Sequence, residues 1–401
     1  MRKYKNWIKT FQEYAEPVPT PDLFKKWAGI ATISGALERK VWLNAVGDYQ
    51  TFPNIYCICV SPPAVGKTLM TRTVQRFWGE LKDHHKAASS LTRASLSDEL
   101  NAAIRNIVRP KSNPSTLKFN TLLIAVNELG VLLPSYDGEF MATLTDLYDG
   151  IVYSERRRGK DLAIHVENPQ LVIFSATPTK FIKTNIPEDA WDLGFLSRTF
   201  LVFSGERPRV PLFSSTARNE QLYKELTADL KIIADLCGKC EFTQEAASFM
   251  VKWDLEDGPP TPTHPRLLSG YNGRRTQHLL KLCMISSTAK KDNLLIELED
   301  VQEALDWLVE MEAEIPNIFK TMGTGGNMQV IHDTWHFVYE RYSKTKKPIS
   351  SSILHAFLME RVLAFQVNSI IDAMVKSGML KKVVHGVGDW YEPNVQRPHM
   401  D

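Results

Sequence analysis

The chain has 401 residues, of which 43% are hydrophobic, and its 48 Lys and Arg side chains nearly balance 46 Asp and Glu. This composition predicts two or three compact units and provides no overall field for attracting nucleic acid, so such binding requires local basic patches. No apolar run is long enough to cross a bilayer, no signal-peptide pattern follows Met1, and five cysteines fit a reducing compartment. We therefore expect a cytoplasmic protein with no membrane partner.

Residues 1–50 are predicted to be an N-terminal helical segment that leads into the next unit. Pro21 stands where a helix can begin, because proline is tolerated in the first helical turn. After it, apolar residues recur at helical spacing and predict a face that packs on a core. The residues of this face are Leu23, Phe24, Trp27, Ile30, Ala31, Ile33 and Leu37.

A phosphate-binding loop is predicted at residues 61–68, which read Ser-Pro-Pro-Ala-Val-Gly-Lys-Thr directly after the apolar run 54–60. In such a loop the backbone N–H groups hold phosphate oxygens, the amine of Lys67 reaches the β- and γ-phosphates, and the hydroxyl of Thr68 binds Mg²⁺. The helix that opens there points the positive end of its dipole at the anion. The pattern therefore predicts a nucleoside triphosphate, taken as ATP, with Mg²⁺, bound by Ser61, Pro62, Pro63, Ala64, Val65, Gly66, Lys67, Thr68 and Leu69.

Ser61 occupies the position at which the full loop pattern has glycine. Glycine adopts left-handed backbone angles without steric cost, whereas serine does so rarely. We therefore expect that the turn at Ser61 is not left-handed.

Residues 51–207 are predicted to form an α/β core in which apolar strands alternate with helical segments. Alternation of this kind indicates a parallel sheet that is covered by helices on both faces. The predicted strands are 54–60, 121–126, 171–174 and 199–203, and the predicted helices include one from Lys67 and one near 96–108.

Two polar residues, Asn127 and Glu128, follow the apolar run 121–126. Hydrolysis of a triphosphate requires an acid at a strand end that faces the γ-phosphate, and Glu128 would polarise the attacking water there. The preceding position normally holds an aspartate of the Mg²⁺ shell, and Asn127 is a weaker, neutral partner for the metal. We expect hydrolysis with slow turnover; the alternative is that the pair is only the polar end of a buried strand.

Three further residues are candidates for the catalytic set. Thr177, with Ser175 as second choice, ends a strand where a polar side chain can sense the γ-phosphate, although a threonine before proline also suits a plain turn. Arg198 precedes a buried strand and can reach the nucleotide of a neighbouring subunit in a ring or filament; the alternative is a surface ion pair of little energetic value. Arg274 lies with Arg275 at a predicted helix start, where cations oppose the helix dipole and favour an anionic partner.

Residues 151–166 are predicted to form a β-hairpin with a basic tip around Gly159. A basic tip suits a nucleic-acid backbone, whereas a pore that threads protein usually carries an aromatic, an apolar residue and glycine. Nucleic-acid binding and a solvated charged turn fit the pattern equally well. The predicted nucleic-acid contacts are Arg156, Arg157, Arg158 and Lys160.

Two further units are predicted after the core. Residues 208–322 begin with a linker rich in Pro and Ser and have mainly helical patterns. Residues 328–401 have the order of elements of a winged-helix domain, which binds DNA or docks on protein, with DNA contact favoured. Its predicted helices are 329–341, 350–360 and 368–377, and its predicted hairpin strands are 380–384 and 389–392.

The order of these motifs resembles that of the ATPases of phage and mobile-element replication proteins. The stretch from Trp42 through Thr51-Phe-Pro-Asn-Ile-Tyr56 is similar to a broad phage ATPase family. The later half is similar to the minichromosome-maintenance helicases, whose arginine finger stands in a Leu-Ser-Arg-Phe context like that of Arg198. Alignment of their sensor helix with Leu279-Leu-Lys-Leu282 places Arg274 at the second sensor position. Those helicases also carry a C-terminal winged helix.

The resemblance implies a P-loop AAA+ ATPase with a helical lid and a C-terminal winged-helix domain, assembled as a homo-oligomer in a hexameric ring. Lys67, Thr68 and Glu128 of one subunit would then share an ATP site with Arg198 of the next. Residues 1–50 are too few for the DNA-binding collar of the cellular helicases. Loading onto DNA would thus depend on a partner or on the winged helix.

The leading hypothesis is an ATP-driven, ring-forming DNA helicase or translocase of phage or mobile-element replication. It would act on single-stranded or forked DNA in the cytoplasm of a bacterium or phage-infected host. The alternative is a replication initiator or helicase loader that uses ATP as an assembly switch and binds other replication proteins, which the neutral Asn127 favours. A protein-remodelling ATPase is the third hypothesis, and the basic hairpin argues against it.

Overall fold

The structure is a computed structural model, and it describes residues 1–88, 90–108, 115–133, 137–157, 162–186, 194–210, 220–262, 268–323, 329–362, 364–384 and 388–394. Its contacts divide the chain into two compact units, Met1–Ile318 and Phe319–Asp401. None of the helices in the described ranges is long and apolar enough to span a bilayer.

The N-terminal segment consists of α1 (Trp7–Ala15), α2 (Asp22–Leu37), β1 (Val41–Val46) and β2 (Tyr49–Thr51). Its helices are part of the core of the first unit. The rings of Trp7 and Phe11 stack with centroids 5.2 Å apart, and Trp7 meets the ring of Phe77 edge-on at 5.5 Å. Helix α2 begins directly after Pro21, as predicted.

The helical prediction for residues 1–50 is wrong from Val41 onward. Strands β1 and β2 pair antiparallel, with Leu43 opposite Thr51. Gly47 has a φ of 53°, and glycine at such an angle allows the tight turn that reverses the chain. The local turn and the β-forming residues before it therefore outweigh the helical pattern.

The central part of the first unit alternates strands and helices. Its elements are β3 (Tyr56–Ser61), α3 (Lys67–Gly79), β4 (His85–Lys86), α4 (Arg93–Ala102), β5 (Ile104–Val108), β6 (Thr116–Val126), α5 (Leu129–Leu132), α6 (Gly138–Asp149), β7 (Tyr153–Arg157), β8 (Leu162–Val166), β9 (Pro169–Pro178), α7 (Thr179–Asn185) and β10 (Thr199–Phe203).

Six of these strands form the central sheet in the order β10-β3-β9-β6-β4, and β5 also pairs with β6. Every pairing is parallel except that of β5 with β6. Helices α2, α3 and α6 contact β9, and α4 contacts β6. Strands β3 and β10 are buried along their whole length, as expected for parallel strands covered on both faces. The predicted α/β class with a parallel sheet is confirmed.

The prediction of a helix through residue 108 is wrong in its second half. Helix α4 ends at Ala102, and the next residues form β5, in which Ile104 lies opposite Asn120. The side-chain Nδ2 of Asn120 donates a hydrogen bond to the carbonyl oxygen of Leu100 at 2.9 Å and ties the end of the helix to the sheet. Pairing of β-branched residues such as Ile107 with β6 therefore outweighs the helical pattern.

The parallel register defines two edges of the sheet. Tyr56, which begins β3, is level with Thr199, which begins β10, and Val60 is level with Thr177 of β9. The carboxyl edge contains the residues that follow β3, β6 and β9, and the amino edge contains those that precede β3 and β10. At about 3.3 Å per residue, the edges lie about 17 Å apart along β3.

The described part of the predicted helical region contains five helices, as expected, and three short strands that were not predicted. They are α8 (Glu220–Ala234), β11 (Gly238–Lys239), β12 (Glu241–Phe242), α9 (Gln244–Leu255), α10 (Ser269–Asn272), α11 (Arg275–Lys290), β13 (Leu295–Ile296) and α12 (Leu298–Gly323).

A buried ion pair joins α11 to α12. The guanidinium of Arg275 donates from Nε and Nη2 to the two carboxylate oxygens of Glu312, both at 2.8 Å, and the side chains are 3% and 4% exposed. The hydroxyl of Tyr271 also donates to Glu312, at 2.9 Å. Arg275 therefore has a structural role in this buried pair, whereas its neighbour Arg274 takes no part in it.

We expect the replacement Glu312→Ala to lower the free energy of unfolding by about 3 to 5 kcal/mol, because it leaves the buried Arg275 guanidinium without a counter-charge. Urea unfolding followed by tryptophan fluorescence measures this loss. The matched control on the same helix is Glu310→Ala, whose carboxylate forms a half-exposed pair with Lys26 and should contribute about 1 kcal/mol or less. Equal losses for the two variants would contradict the assignment of a buried pair.

The second unit consists of α13 (Gln329–Thr345), β14 (Ile349–Ser350), α14 (Ser351–Met359), α15 (Ala364–Lys376), β15 (Leu380–Val384) and β16 (Asp389–Pro393). The three helices and the two hairpin strands lie where they are predicted, and β14 is an additional strand. The sheet has the order β14-β16-β15 with antiparallel pairs. Its core includes Val338, Leu354, Leu358 and Met374, all fully buried.

Candidate nucleotide site

The predicted phosphate loop joins β3 to α3 at the carboxyl edge. Ser61 is the last residue of β3 and has no positive φ, so the turn there is not left-handed, as expected. Ala64 and Gly66 do take left-handed angles, with φ of 64° and 85°. A left-handed non-glycine residue costs about 1 to 3 kcal/mol, and such strain is typical of ligand-binding loops.

The segment before α2 lies against the loop, a contact that the sequence did not predict. A Cβ atom on Gly66 would lie well under 3.0 Å from the carbonyl oxygen of Pro19. Glycine is therefore required at position 66 both by its φ and by this close approach. The three prolines at 17, 19 and 21 indicate a fixed turn in the sequence, but nothing in their spacing identifies what the turn touches.

Lys67 begins α3 and folds back over the loop. Its Nζ donates hydrogen bonds to the carbonyl oxygens of Ser61 and Pro62, at 2.8 and 3.0 Å, and to the Ser61 hydroxyl at 2.7 Å. Burial lowers the pKa of Lys67, while Cys59 and the carboxylate of Glu128 oppose that shift. The serine that replaces glycine thus holds the loop amine, and Glu128 is near enough to act on it electrostatically.

Strand β9 lies between the strand that carries the loop and the strand that carries the acid. Thr177 of β9 is level with Val60, and Ser175 is level with Val126. Because neighbouring strands lie about 4.8 Å apart, the ends of β3 and β6 are separated by about 10 Å. That distance leaves room for a γ-phosphate and a water between the loop lysine and the acid.

The three polar candidates at this edge differ in exposure. Asn127 and Glu128 are exposed, whereas Thr177 is fully buried, with its hydroxyl 3.5 Å from the carbonyl oxygen of Pro178. Ser175 is also fully buried and lies two residues deeper in β9. Thr177 is therefore nearer the edge than the second choice.

Thr68 and Asn127 are the candidate ligands of Mg²⁺, and both are exposed at this edge. Hydroxyl and amide oxygens suit this hard cation, which usually keeps several waters and binds substrate phosphates. Across the described ranges no three His, Cys, Asp or Glu side chains cluster as a metal cage. The residues present fit an ion that is held mainly by the nucleotide.

Arg198 lies at the amino edge, directly before β10. Its Nε donates to both carboxylate oxygens of Asp149 at 3.2 Å, its Nη2 also donates to Asp149, and its Nη1 donates to the carbonyl oxygen of Gly194 at 2.9 Å. The Arg198 side chain is only 8% exposed. The ion pair considered in the sequence analysis is therefore present, but it is buried rather than at the surface.

Arg274 lies beside the same carboxylate. Its Nη1 is 3.6 Å from an oxygen of Asp149 and donates to the side chain of Gln277 at 3.0 Å, and its side chain is 28% exposed. Two candidates that are far apart in the sequence thus share Asp149. The sequence did not identify this aspartate, because an Asp-Gly pair at a helix end is an ordinary stop signal.

Positive charge exceeds negative charge around Asp149. Lys281 of α11 is buried, and burial lowers its pKa to about 7, with Asp149 opposing the shift and Arg39, Arg274 and Arg198 adding to it. The carboxylate of Asp149 therefore binds one arginine, lies beside a second and acts electrostatically on a buried lysine. An edge with this excess of cations attracts an anion.

The predicted hairpin is present. Strands β7 and β8 pair antiparallel, from Tyr153 opposite Val166 to Arg157 opposite Leu162. Arg156 is exposed on β7. The other two predicted contacts, Arg158 and Lys160, lie outside the described residues.

The loop, the acid and Thr177 thus meet at the carboxyl edge, whereas Arg198 and Arg274 meet at the amino edge. Neither a protein-family model nor a curated protein matches the chain.

Proposed function

We propose that the protein is an ATP hydrolase of the AAA+ kind whose active sites are shared between subunits of a ring, and that it works as a DNA helicase or translocase. One observation carries the proposal: the phosphate loop and the acid lie at one edge of the sheet, and the two arginines lie together at the opposite edge. The two edges lie about 17 Å apart along β3, so the arginines are distant from the loop of their own subunit. In a ring, each amino edge can face the carboxyl edge of the next subunit.

Within one subunit, the carboxyl edge supplies binding and water activation. Lys67 would exchange its hydrogen bonds to the loop for bonds to the β- and γ-phosphates, because charge-assisted bonds to phosphate are the stronger ones. Glu128 would orient the attacking water across the gap in which Thr177 lies. Mg²⁺, held by Thr68 and Asn127 through the nucleotide, would neutralise phosphate charge.

The neighbouring subunit supplies positive charge. An arginine near the γ-phosphate stabilises the charge that develops on the transferred phosphoryl group. The cation excess around Asp149 supports this role, since neighbouring like charges are stabilised by an anion. Arg198 and Arg274 are the residues proposed to make this contact.

The hairpin of β7 and β8 is proposed to bind the DNA backbone. Arg156 is exposed on it, and a row of such cations from several subunits can hold the phosphates of one strand. The second unit is proposed to be a winged helix that contacts DNA or another replication protein.

For the variant Arg156→Ala we expect weaker binding of single-stranded DNA, about equally for all sequences, because a phosphate contact carries no sequence information. The slope of the logarithm of affinity against the logarithm of salt should become shallower by about 0.7 for one lost contact. Fluorescence anisotropy of a labelled oligonucleotide measures both. Lys252→Ala, which removes an exposed cation from α9, is the control and should leave the slope unchanged.

The proposed function is tested by the ATPase rate of the wild-type protein with and without single-stranded DNA, together with strand displacement on a forked duplex. The proposal predicts hydrolysis that DNA stimulates and unwinding that requires ATP. Stimulation by DNA without unwinding of either polarity would exclude the helicase, and absence of hydrolysis would exclude the enzyme.

A replication initiator or helicase loader is the second candidate, favoured by the neutral Asn127 in the metal shell. A loader uses ATP as an assembly switch, so binding without hydrolysis is sufficient. The variant Glu128→Gln separates the two candidates, because a loader variant still delivers DNA or a partner helicase whereas a helicase variant loses unwinding.

A further inference from the structure

Asp149 occupies a special position because two arginines of the proposed shared site depend on it. Arg198 uses both its Nε and its Nη2 to bind this carboxylate, and Arg274 lies 3.6 Å away. Burial and the charge of Arg198 lower the pKa of Arg274, and Asp149 and Tyr148 oppose that shift. Asp149 is therefore a shared neighbour of both guanidinium groups, beside the carbonyl oxygen of Gly194 for Arg198 and the side chain of Gln277 for Arg274.

Asp149 is also the last residue of α6, and the chain runs from it directly into the hairpin. Only residues 150–152 separate it from Tyr153, which begins β7. Three extended residues span at most about 10 Å, and the backbone N–H of Ile151 donates a hydrogen bond to the carbonyl oxygen of Asp146 of α6 at 3.0 Å. The hairpin is therefore joined to the end of α6 by a short connection that is hydrogen-bonded to the helix.

The corner between α6 and the hairpin is held against the sheet on one side. Gly150 has a φ of 71°, and a Cβ atom there would lie well under 3.0 Å from Nη1 of Arg39. The same Nη1 donates a hydrogen bond to the carbonyl oxygen of Pro169, the first residue of β9, at 2.9 Å. On the other side the side chains of Ile151 and Val152 are 51% and 52% exposed and face solvent.

We infer that Asp149 is a positioning residue that couples DNA binding at the hairpin to the two arginines that act on the neighbouring nucleotide. When the hairpin moves with the bound strand, Asp149 moves with it and re-orients Arg198 and Arg274. This inference rests on the proposed function and adds to it the route by which DNA stimulates hydrolysis.

The test measures the stimulation factor, which is the ATPase kcat with saturating single-stranded DNA divided by the kcat without DNA. In Asp149→Asn the carboxylate charge is lost, and the stimulation factor is expected to fall to about 1. The dissociation constant for a fluorescent ATP analogue should stay within about twofold of the wild-type value, because the loop lies at the other edge.

Two comparison variants accompany Asp149→Asn. Asp149→Glu keeps the charge and should retain part of the stimulation. Asp146→Asn, an exposed aspartate one turn earlier on α6, is the matched control and should behave as wild type.

A merely structural role for Asp149 would lower both rates together and leave their ratio unchanged. A second variant keeps the test valid if Asp149→Asn does not fold: insertion of Gly-Ser between Ile151 and Val152 lengthens the exposed connection and leaves both arginines in place. It should keep basal hydrolysis and lose stimulation. A wild-type stimulation factor in either variant would overturn the inference while the proposed function stands. A wild-type protein whose hydrolysis ignores DNA would overturn the inference and the helicase or translocase role together, and leave only the ATP hydrolase. A wild-type protein without ATPase would overturn both.

Discussion

The variant Glu128→Gln is expected to hydrolyse ATP at least about 100-fold more slowly than the wild-type protein while binding it normally. Removal of a group that activates the reacting water typically costs 10²- to 10⁴-fold, and glutamine cannot accept the proton. Glu128 is exposed and sits at the N-terminal cap of the short helix α5 without a side-chain capping bond. The fold therefore does not depend on its charge.

Steady-state phosphate release measures the rate of hydrolysis, and equilibrium binding of a fluorescent ATP analogue measures the affinity. Glu139→Gln, which removes an exposed carboxylate from the first turn of α6, is the control and should retain activity. A Glu128→Gln variant with near wild-type turnover would show that another group activates the water.

The variant Lys67→Ala is expected to bind ATP at least about 30-fold more weakly. Loss of one partner of a hydrogen-bonded charge pair costs about 2 to 5 kcal/mol, and every 1.4 kcal/mol is tenfold in affinity. The folded protein should tolerate the change, because the three acceptors that Lys67 uses belong to Ser61 and Pro62 of the loop itself, and the Ser61 hydroxyl also donates to the carbonyl oxygen of Pro62 at 2.9 Å. Binding and hydrolysis should then fall together.

Isothermal titration with ATP and a thermal melt of the same sample separate binding from folding. Lys82→Ala, which removes an exposed lysine after α3, is the control. Retention of ATP affinity in Lys67→Ala would exclude the loop as the nucleotide site.

Much of the core follows from the sequence because its signals are local. The buried strand before Ser61, the helix at Lys67 and the polar pair after Val126 each depend on a few adjacent residues, and all three elements lie where they are predicted. At β5 and in the hairpin of β1 and β2, pairing with another strand determines the secondary structure. The helical pattern of the sequence gives the wrong prediction there.

The contacts that complete the site could not be predicted from the sequence. Asp149 binds Arg198 across 49 positions and lies near Arg274, which is more distant still along the chain. Pro19 reaches Gly66 only because α2 packs on α3. Ser61 looks like a defect of the loop pattern, yet its hydroxyl binds the loop lysine. Each of these contacts forms only in the folded protein, so the sequence pattern alone does not show it.

The central claim is that ATP is hydrolysed at sites shared between subunits. It is tested most directly by measuring the ATPase rate per subunit over a range of protein concentrations, with the mass of the assembled species determined by light scattering on the same samples. Shared sites predict a rate per subunit that rises with concentration in step with an ATP-dependent increase in mass. A monomer whose mass ATP does not change, and whose rate per subunit is constant, would contradict the account.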